Sequence, residues 1–153
     1  MDNANGSCFE FDFENVHVEF RTSLPGHEDA IPAVVEEIMQ IVSGSSCAAG
    51  HEFEVEVALT EAIANAVRHG CEGDPAKKVD VCVACQPDRG LMIIVSDPGS
   101  GFDPDSIADP VAAENLYRTH GRGIFLINQL MDEVEFDRGG AVVRMRKAPK
   151  RPA

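Results

Sequence analysis

The segment Glu61-Ala-Ile-Ala-Asn65-Ala-Val-Arg-His69-Gly70 closes a predicted helix that begins near Glu52. Apolar residues recur along this helix at spacings of three and four, which is typical of a helix that packs one face against a core. Gly70 suits the left-handed backbone that ends many helices. The spacing of four places Glu61 and Asn65 on one helix face. That face can take up a proton and offer an oxygen to a metal ion, although the solvated face of an ordinary amphipathic helix carries the same residue types.

Outward from this helix, the sequence predicts an α+β fold. Two pairs of strand-like runs are each separated by turn residues, which predicts two antiparallel hairpins. Because helices alternate with hairpins and not with single strands, we expect a two-layer α/β sandwich with helices packed on one face of a mixed, largely antiparallel sheet. The predicted strands are 16–20, 79–85, 91–95, 134–136 and 141–145, and the predicted helices are 30–42, 52–69 and 124–131.

Length and charge restrict the possible functions. The chain has 153 residues and a formal net charge of −13. The length predicts a single domain over residues 13–147, with loose segments at 1–12 and 148–153. The charge opposes direct binding to nucleic acid or to an anionic membrane and favours a basic partner surface. The apolar runs are far shorter than the roughly 20 residues of a membrane span, and the N-terminus does not resemble a secretory signal, so we expect a cytoplasmic protein.

The sequence contains five cysteines, which is an odd number. In a chain without a secretory signal, an odd number predicts reduced thiols and not a disulfide framework. Cys82 and Cys85 lie three apart on a predicted strand, so their sulfurs are expected to point to opposite faces. We expect both to be buried as small apolar side chains. A thiol or zinc protein is the alternative, but the sequence has no second cysteine or histidine pair to complete a zinc site.

Two glycine-containing segments follow the first hairpin. Asp97-Pro-Gly99-Ser-Gly101-Phe102 comes directly after an apolar strand. Its glycines allow the backbone to approach a ligand closely, and the Asp97 carboxylate can accept a hydrogen bond from an amino group such as that of adenine. An ordinary β-turn has the same composition. Gly121-Arg122-Gly123 leads into a helix, whose free amides and dipole favour phosphate, although a hinge before a helix has the same sequence.

In this order, the three segments resemble the nucleotide-binding boxes of the GHKL (histidine-kinase-like) ATPase superfamily. Within it, the chain resembles the bacterial anti-sigma-factor serine/threonine kinases. Residues 61–70 match the helix box of these kinases, residues 97–103 the first glycine box, and residues 121–127 with 130–134 the second. The resemblance extends over roughly residues 16–145. It implies a Bergerat-type ATP-binding fold that uses ATP and Mg²⁺.

The resemblance also implies roles for individual residues. Asn65 would supply an oxygen to a Mg²⁺ ion that bridges the ATP phosphates. Asp97 would hold the adenine amino group, while Gly99 and Gly101 would shape the pocket around the base and the ribose. Glu61 would act as the general base toward the attacking hydroxyl.

On the phosphate side, the resemblance implies that Gly121, Arg122 and Gly123 close over the phosphates. Arg118, in a lid formed by residues 104–120, would neutralise charge during phosphoryl transfer. The implied partners are a sigma factor, which the kinase sequesters, and a small anti-anti-sigma protein, which it phosphorylates; a homodimer is also implied. The alternative is an ATP-binding regulatory module that sequesters a partner without phosphorylating it, and the presence of Glu61 argues for the enzyme.

Overall fold

A computed structural model describes residues 18–45, 47–72, 74–86, 89–99, 121–137 and 141–148. These residues form one sheet and three α-helices. The strands are β1 (Val18–Pro25), β2 (Lys78–Gln86), β3 (Gly90–Ser96), β4 (Glu133–Asp137) and β5 (Val142–Lys147). The helices are α1 (Ile31–Ser45), which follows a short 3-10 helix (Glu28–Ala30), α2 (Glu52–Asn65) and α3 (Gly121–Leu130).

The sheet has the strand order β1-β2-β3-β5-β4. Strands β2 and β3 form a hairpin with Gln86 opposite Gly90, and β4 and β5 form a second with Asp137 opposite Val142. Both predicted hairpins are confirmed. Pairing of β3 with β5 joins them, so that Ser96 lies opposite Val142. Every strand pair within the described ranges is antiparallel, so this part of the sheet is not mixed, and the predicted α+β class is confirmed.

The main core lies between the helices and one face of the sheet. Alternate strand residues point to this face, as expected from the period of two in a strand. Helix α2 is central, because it packs against both α1 and α3. Its residues Leu59 and Ile63 are completely buried. The helix that carries the predicted site residues is therefore also the helix on which the core is built. The largest core side chains are Leu24, Ile38, Leu59, Ile63, Leu91, Ile93, Ile127 and Met145.

The sequence predicted a strand over residues 16–20, whereas β1 continues through Pro25. Within the described ranges this strand is at the edge of the sheet and pairs only with β2. Proline is tolerated at such an edge because its missing amide is not needed by a second neighbour. The next residue, Gly26, donates its amide to the Lys77 carbonyl at 2.8 Å, which extends the connection between the two strands.

The prediction that the cysteines are reduced thiols is wrong for part of the set. Cys47, just after α1, and Cys85, on β2, form a disulfide with a Cα–Cα distance of 5.9 Å. This distance lies in the usual range for a bridge, and both residues are buried on the helix side of the sheet. The prediction that Cys82 and Cys85 are buried on opposite faces is confirmed, because Cys85 belongs to the main core while Cys82 packs on the other face. The prediction that both are reduced thiols is wrong, because each is disulfide-bonded. Among the cysteines of the described ranges, Cys71 is the free thiol.

The three helices do not include a membrane-spanning segment. In the described ranges, none is both long enough and apolar enough to cross a bilayer.

We predict that the Cys47–Cys85 disulfide stabilises the fold. The bond joins residues 38 positions apart, and restricting an unfolded chain over this separation contributes about 4 kcal/mol in the chain-entropy description. Urea unfolding without reductant should therefore show a lower midpoint for Cys47→Ala/Cys85→Ala than for the natural protein. With reductant the two midpoints should converge, leaving the smaller effect of the lost sulfur atoms. A natural protein whose midpoint does not respond to reductant would contradict this prediction.

Candidate functional site

Helix α2 places Glu61 and Asn65 one turn apart on its last two turns. Four residues of α-helix advance about 6 Å along the axis, so the two side chains start from neighbouring positions on one face. Both are partly exposed, whereas the residues between them, 62–64, are buried. The sequence prediction that these two polar groups lie on the accessible face of a packed helix therefore agrees with the structure. Their chemical roles stay predictions.

After Asn65 the helix widens into a π-helical turn, Ala66–Gly70. The amide of Cys71 donates to the carbonyl of Ala66 at 2.9 Å, which is the five-residue spacing of a π-helix. The sequence predicted a regular α-helix up to residue 69. Single π-turns in helices are frequent at functional sites, because they change the direction of the side chains that follow.

Gly70 is needed for space and not for a left-handed backbone. The residue with positive φ near this helix end is Glu72, at 54°. A Cβ atom at Gly70 would overlap the Cγ and both carboxylate oxygens of Asp97. The predicted left-handed stop at Gly70 is therefore wrong, and the glycine is required because the Asp97 carboxylate occupies the position of a side chain.

Asp97 is held from several directions at the end of β3. Its amide donates to the Ala141 carbonyl at 2.9 Å, which fixes it against the start of β5. Its Oδ1 accepts the Gly99 amide at 2.8 Å. A Cβ atom at Gly99 would lie 2.8 Å from both the Cα and the carbonyl oxygen of Gly70. The helix box and the first glycine box are thus in direct contact through Gly70, Asp97 and Gly99.

The charge of Asp97 acts on the neighbouring Cys71 thiol. Burial, with the nearby charge of Asp97 as the next cause, raises the pKa of the Cys71 thiol. Cys71 is buried directly after the π-turn. A raised pKa keeps this thiol protonated and unreactive near neutral pH. The cysteine beside the site is therefore suited to packing and not to nucleophilic chemistry.

Helix α3 begins at Gly121, so residues 121–123 form its first turn and do not precede it. The first four amides of a helix lack acceptors within the helix and can donate to an anion, so the predicted role of this turn stays a prediction. Ile127 is buried in the core and α3 packs against α2. The helix that begins with the second glycine segment therefore packs against the helix that carries Glu61 and Asn65.

Part of the predicted site lies outside the described residues. This applies to Gly101, to Arg118 and to the whole lid at 104–120. For Gly121, Arg122 and Gly123 the structure describes the backbone as helix, and nothing is added for the Arg122 side chain.

Among the described residues, no group of three or more His, Cys, Asp or Glu side chains could hold a metal ion. A Mg²⁺ ion that bridges nucleotide phosphates needs only one or two protein oxygens, since phosphates and waters supply the others. Asn65 is partly exposed one helical turn after Glu61, and its side-chain amide carries an oxygen of the required kind. The residues present therefore fit a nucleotide-bound Mg²⁺ ion and do not form an independent metal site.

Comparison with known proteins agrees with this arrangement. Residues 24–147 match the family model described as the histidine kinase-like ATPase domain. The chain is 32% identical over 114 residues to the serine-protein kinase RsbW of Listeria monocytogenes serotype 4a, covering 67% of this chain and 72% of that protein. It is 30% identical over 139 residues to the serine-protein kinase RsbW of Staphylococcus epidermidis, covering 81% of this chain and 87% of that protein. The family model matches most of the chain, and the helix box contacts the first glycine box. The chain belongs to the histidine kinase-like ATPase domain family.

Proposed function

We propose that this chain is an ATP-dependent serine/threonine protein kinase that acts as an anti-sigma factor. In this role it phosphorylates a small anti-anti-sigma protein and sequesters a sigma factor. The observation that carries the proposal is the contact of Gly70 with Asp97 and Gly99, which joins the helix box to the first glycine box. The relatives named serine-protein kinase RsbW support the same activity.

The adenine end of ATP is assigned to Asp97. Its carboxylate is partly exposed, and its position is fixed by the backbone bonds to Ala141 and Gly99. A carboxylate only accepts hydrogen bonds, so it selects the amino group of adenine over the carbonyl oxygen of guanine. Gly99 and Gly101 would border the base and the ribose.

The phosphate end is assigned to the partly exposed face of α2 at Asn65 and to the first turn of α3. Asn65 would hold the Mg²⁺ ion through its side-chain oxygen. When bound, this ion neutralises part of the phosphate charge. The first-turn amides of α3, at Gly121, Arg122 and Gly123, would donate to the phosphates, and Arg118 would add positive charge during transfer.

Glu61 is assigned as the general base. Its carboxylate takes the proton of the substrate hydroxyl as the hydroxyl oxygen bonds to the γ-phosphorus. The bond from that phosphorus to the bridging oxygen breaks, and ADP keeps the electron pair. Phosphoryl transfer otherwise requires mainly positioning and charge stabilisation, which the α3 amides and the nearby cations would provide.

The partners follow from the family resemblance and from charge. A net charge of −13 attracts a basic surface and repels nucleic acid at long range. We propose that a sigma factor is bound through protein contacts, and that the anti-anti-sigma protein presents its serine or threonine at Glu61. A homodimer of the kinase is part of the same proposal.

Replacing the base should separate catalysis from binding. We expect Glu61→Gln to lower the rate of phosphate transfer by about 10² to 10⁴, the usual contribution of a positioned base, with little change in ATP affinity. Transfer of label from γ-labelled ATP to a purified candidate anti-anti-sigma protein measures the rate. Glu56→Gln is the matched control, because it removes the same charge from an exposed position of the same helix. Equal rates for Glu61→Gln and the natural protein would remove Glu61 from this role.

Removing the proposed Mg²⁺ ligand, Asn65, should reduce the effect of Mg²⁺ on ATP affinity. We expect Asn65→Ala to weaken ATP binding in Mg²⁺ by roughly tenfold, since one oxygen donor is lost, while ATP binding in EDTA changes little. The residue is partly exposed, so the unfolding midpoint should change far less. Calorimetric titration in the two buffers measures both affinities. The same loss of affinity with and without Mg²⁺ would contradict the assignment.

A side chain at Gly70 should damage the adenine site. Because a Cβ atom there overlaps the Asp97 carboxylate, Gly70→Ala must displace Asp97, and it should lower ATP affinity at least tenfold and reduce the preference for ATP over GTP. Asp97→Asn should lose the same preference with a smaller cost in stability. Gly44→Ala is the control, since nothing lies within 4 Å of its added Cβ. Unchanged ATP and GTP affinities in Gly70→Ala would refute the adenine assignment.

A further inference from the structure

The sheet face opposite the helices carries a small apolar patch. Its members are Cys82 and Ala84 on β2, Ile94 on β3 and Val142 on β5, with Met92 packed against them. The first four are between 0% and 7% exposed. They belong to a cluster separate from the main core, and the described helices pack on the other face. A sheet face open to water would leave such side chains more exposed, so the patch has a cover.

We propose that the cover is the N-terminal segment Phe9-Glu-Phe-Asp-Phe13 of the same chain, which the sequence analysis expected to be loose. Its phenylalanines alternate with acidic residues. In an extended conformation this period of two places all three aromatic rings on one side and the carboxylates on the other. One side of the segment thus needs an apolar surface, and the patch supplies one.

The connection is short enough for this placement. Strand β1 begins at Val18, which pairs with Cys85 near the end of β2. Four residues, 14–17, join Phe13 to that point. Five extended residues reach about 13 Å from the first Cα to the last, while the patch from β2 across β3 to β5 is about 10 Å wide. A segment of this length covers the patch and needs only one turn to enter β1.

The rim of the patch carries charges of both signs. A shallow pocket of about 520 Å³ on this face is lined by residues that include Arg21, Asp80, Cys82, Ile94, Val142 and Arg144. Arg21 on β1 and Arg144 on β5 stand on opposite sides of the patch, and Arg144 forms an ion pair with Asp137 of β4. Side chains on a strand rise roughly perpendicular to the sheet, so these charged groups frame an apolar floor. The apolar side of an extended segment fits that floor, and its polar side can face water above it.

Cysteine pairing points to the same segment. Cys82 is disulfide-bonded. Cys47 and Cys85 are bonded to each other and Cys71 is free. Of the five cysteines in the sequence, Cys8 is left as the partner of Cys82, and it immediately precedes Phe9. Forming this bond removes two protons and two electrons from the thiols, which a small disulfide such as oxidised glutathione accepts.

Alkylation of Cys82 tests the cover independently of any kinase activity. In reduced, desalted protein treated with iodoacetamide, peptide mass spectrometry should show Cys82 labelled as slowly as the buried Cys71. In Phe11→Ser/Phe13→Ser, Cys82 should react at least tenfold faster while Cys71 stays protected. Phe53→Ser is the control, because Phe53 is 77% exposed on α2 and its loss should leave Cys82 protected.

Four results would overturn the proposal. Equally fast labelling of Cys82 in the natural protein and the double variant would show that no cover exists, and equally slow labelling would show that these phenylalanines do not provide it. Protection that disappears on dilution would assign the face to a second copy. If Cys71 also becomes reactive in the double variant, the variant is unfolded, and the natural protein is then treated with oxidised glutathione and digested. A peptide that links Cys8 to Cys82 supports the proposal. Cys82 found free or linked to another cysteine refutes it.

Discussion

The contact between Gly70 and the Asp97 carboxylate is the constraint on which the site depends. It is steric, because the carboxylate occupies the volume of a side chain at position 70. It is also directional, because the same carboxylate accepts the Gly99 amide and the Asp97 backbone donates to Ala141. These interactions join the end of the central helix to the middle of the sheet. The spatial relation between the helix box and the first glycine box is therefore set by close packing and not by a flexible loop.

Electrostatics explains why such a site needs a metal ion and helix amides. The chain is strongly acidic, and carboxylates occur at Glu61 and Asp97 within the predicted site. Burial, and after it the charge of Asp97, raises the pKa of the Cys71 thiol beside this site. A triphosphate adds further negative charge. In the proposed site, the favourable terms would come from Mg²⁺ and from the first-turn amides of α3, both of which act at short range.

Local patterns predicted most of the elements. Turn residues located both hairpins, and the period of two placed Cys82 and Cys85 on opposite faces. The same period could not reveal which strands become neighbours, so the pairing of β3 with β5 was not foreseen. The Cys47–Cys85 bond was missed for the same reason, because it depends on where the end of α1 meets β2. The sequence alone shows neither that β3 lies beside β5 nor that Cys47 lies close to Cys85.

The case of Gly70 shows a second limit. A glycine after a helix usually provides a left-handed residue, and that interpretation follows from local rules alone. In this fold the glycine makes room for a carboxylate almost 30 positions later in the sequence, and the helix end changes to a π-turn. The position of Asn65 and Glu61 on a packed helix was predictable, whereas the way this helix meets Asp97 needed the structure.

The strand order has a consequence for association between molecules. Among the strands that the structure describes, the two edges of the sheet are β1, which ends in Pro25, and β4, where Glu133, Glu135 and Asp137 alternate with apolar residues. Proline lacks the amide that would bond an incoming strand, and charged side chains on β4, two of which pair with Arg144 and Arg146 of β5, make that edge polar. Growth of the sheet by stacking copies edge to edge, the usual route to insoluble aggregates, is thus discouraged at both ends.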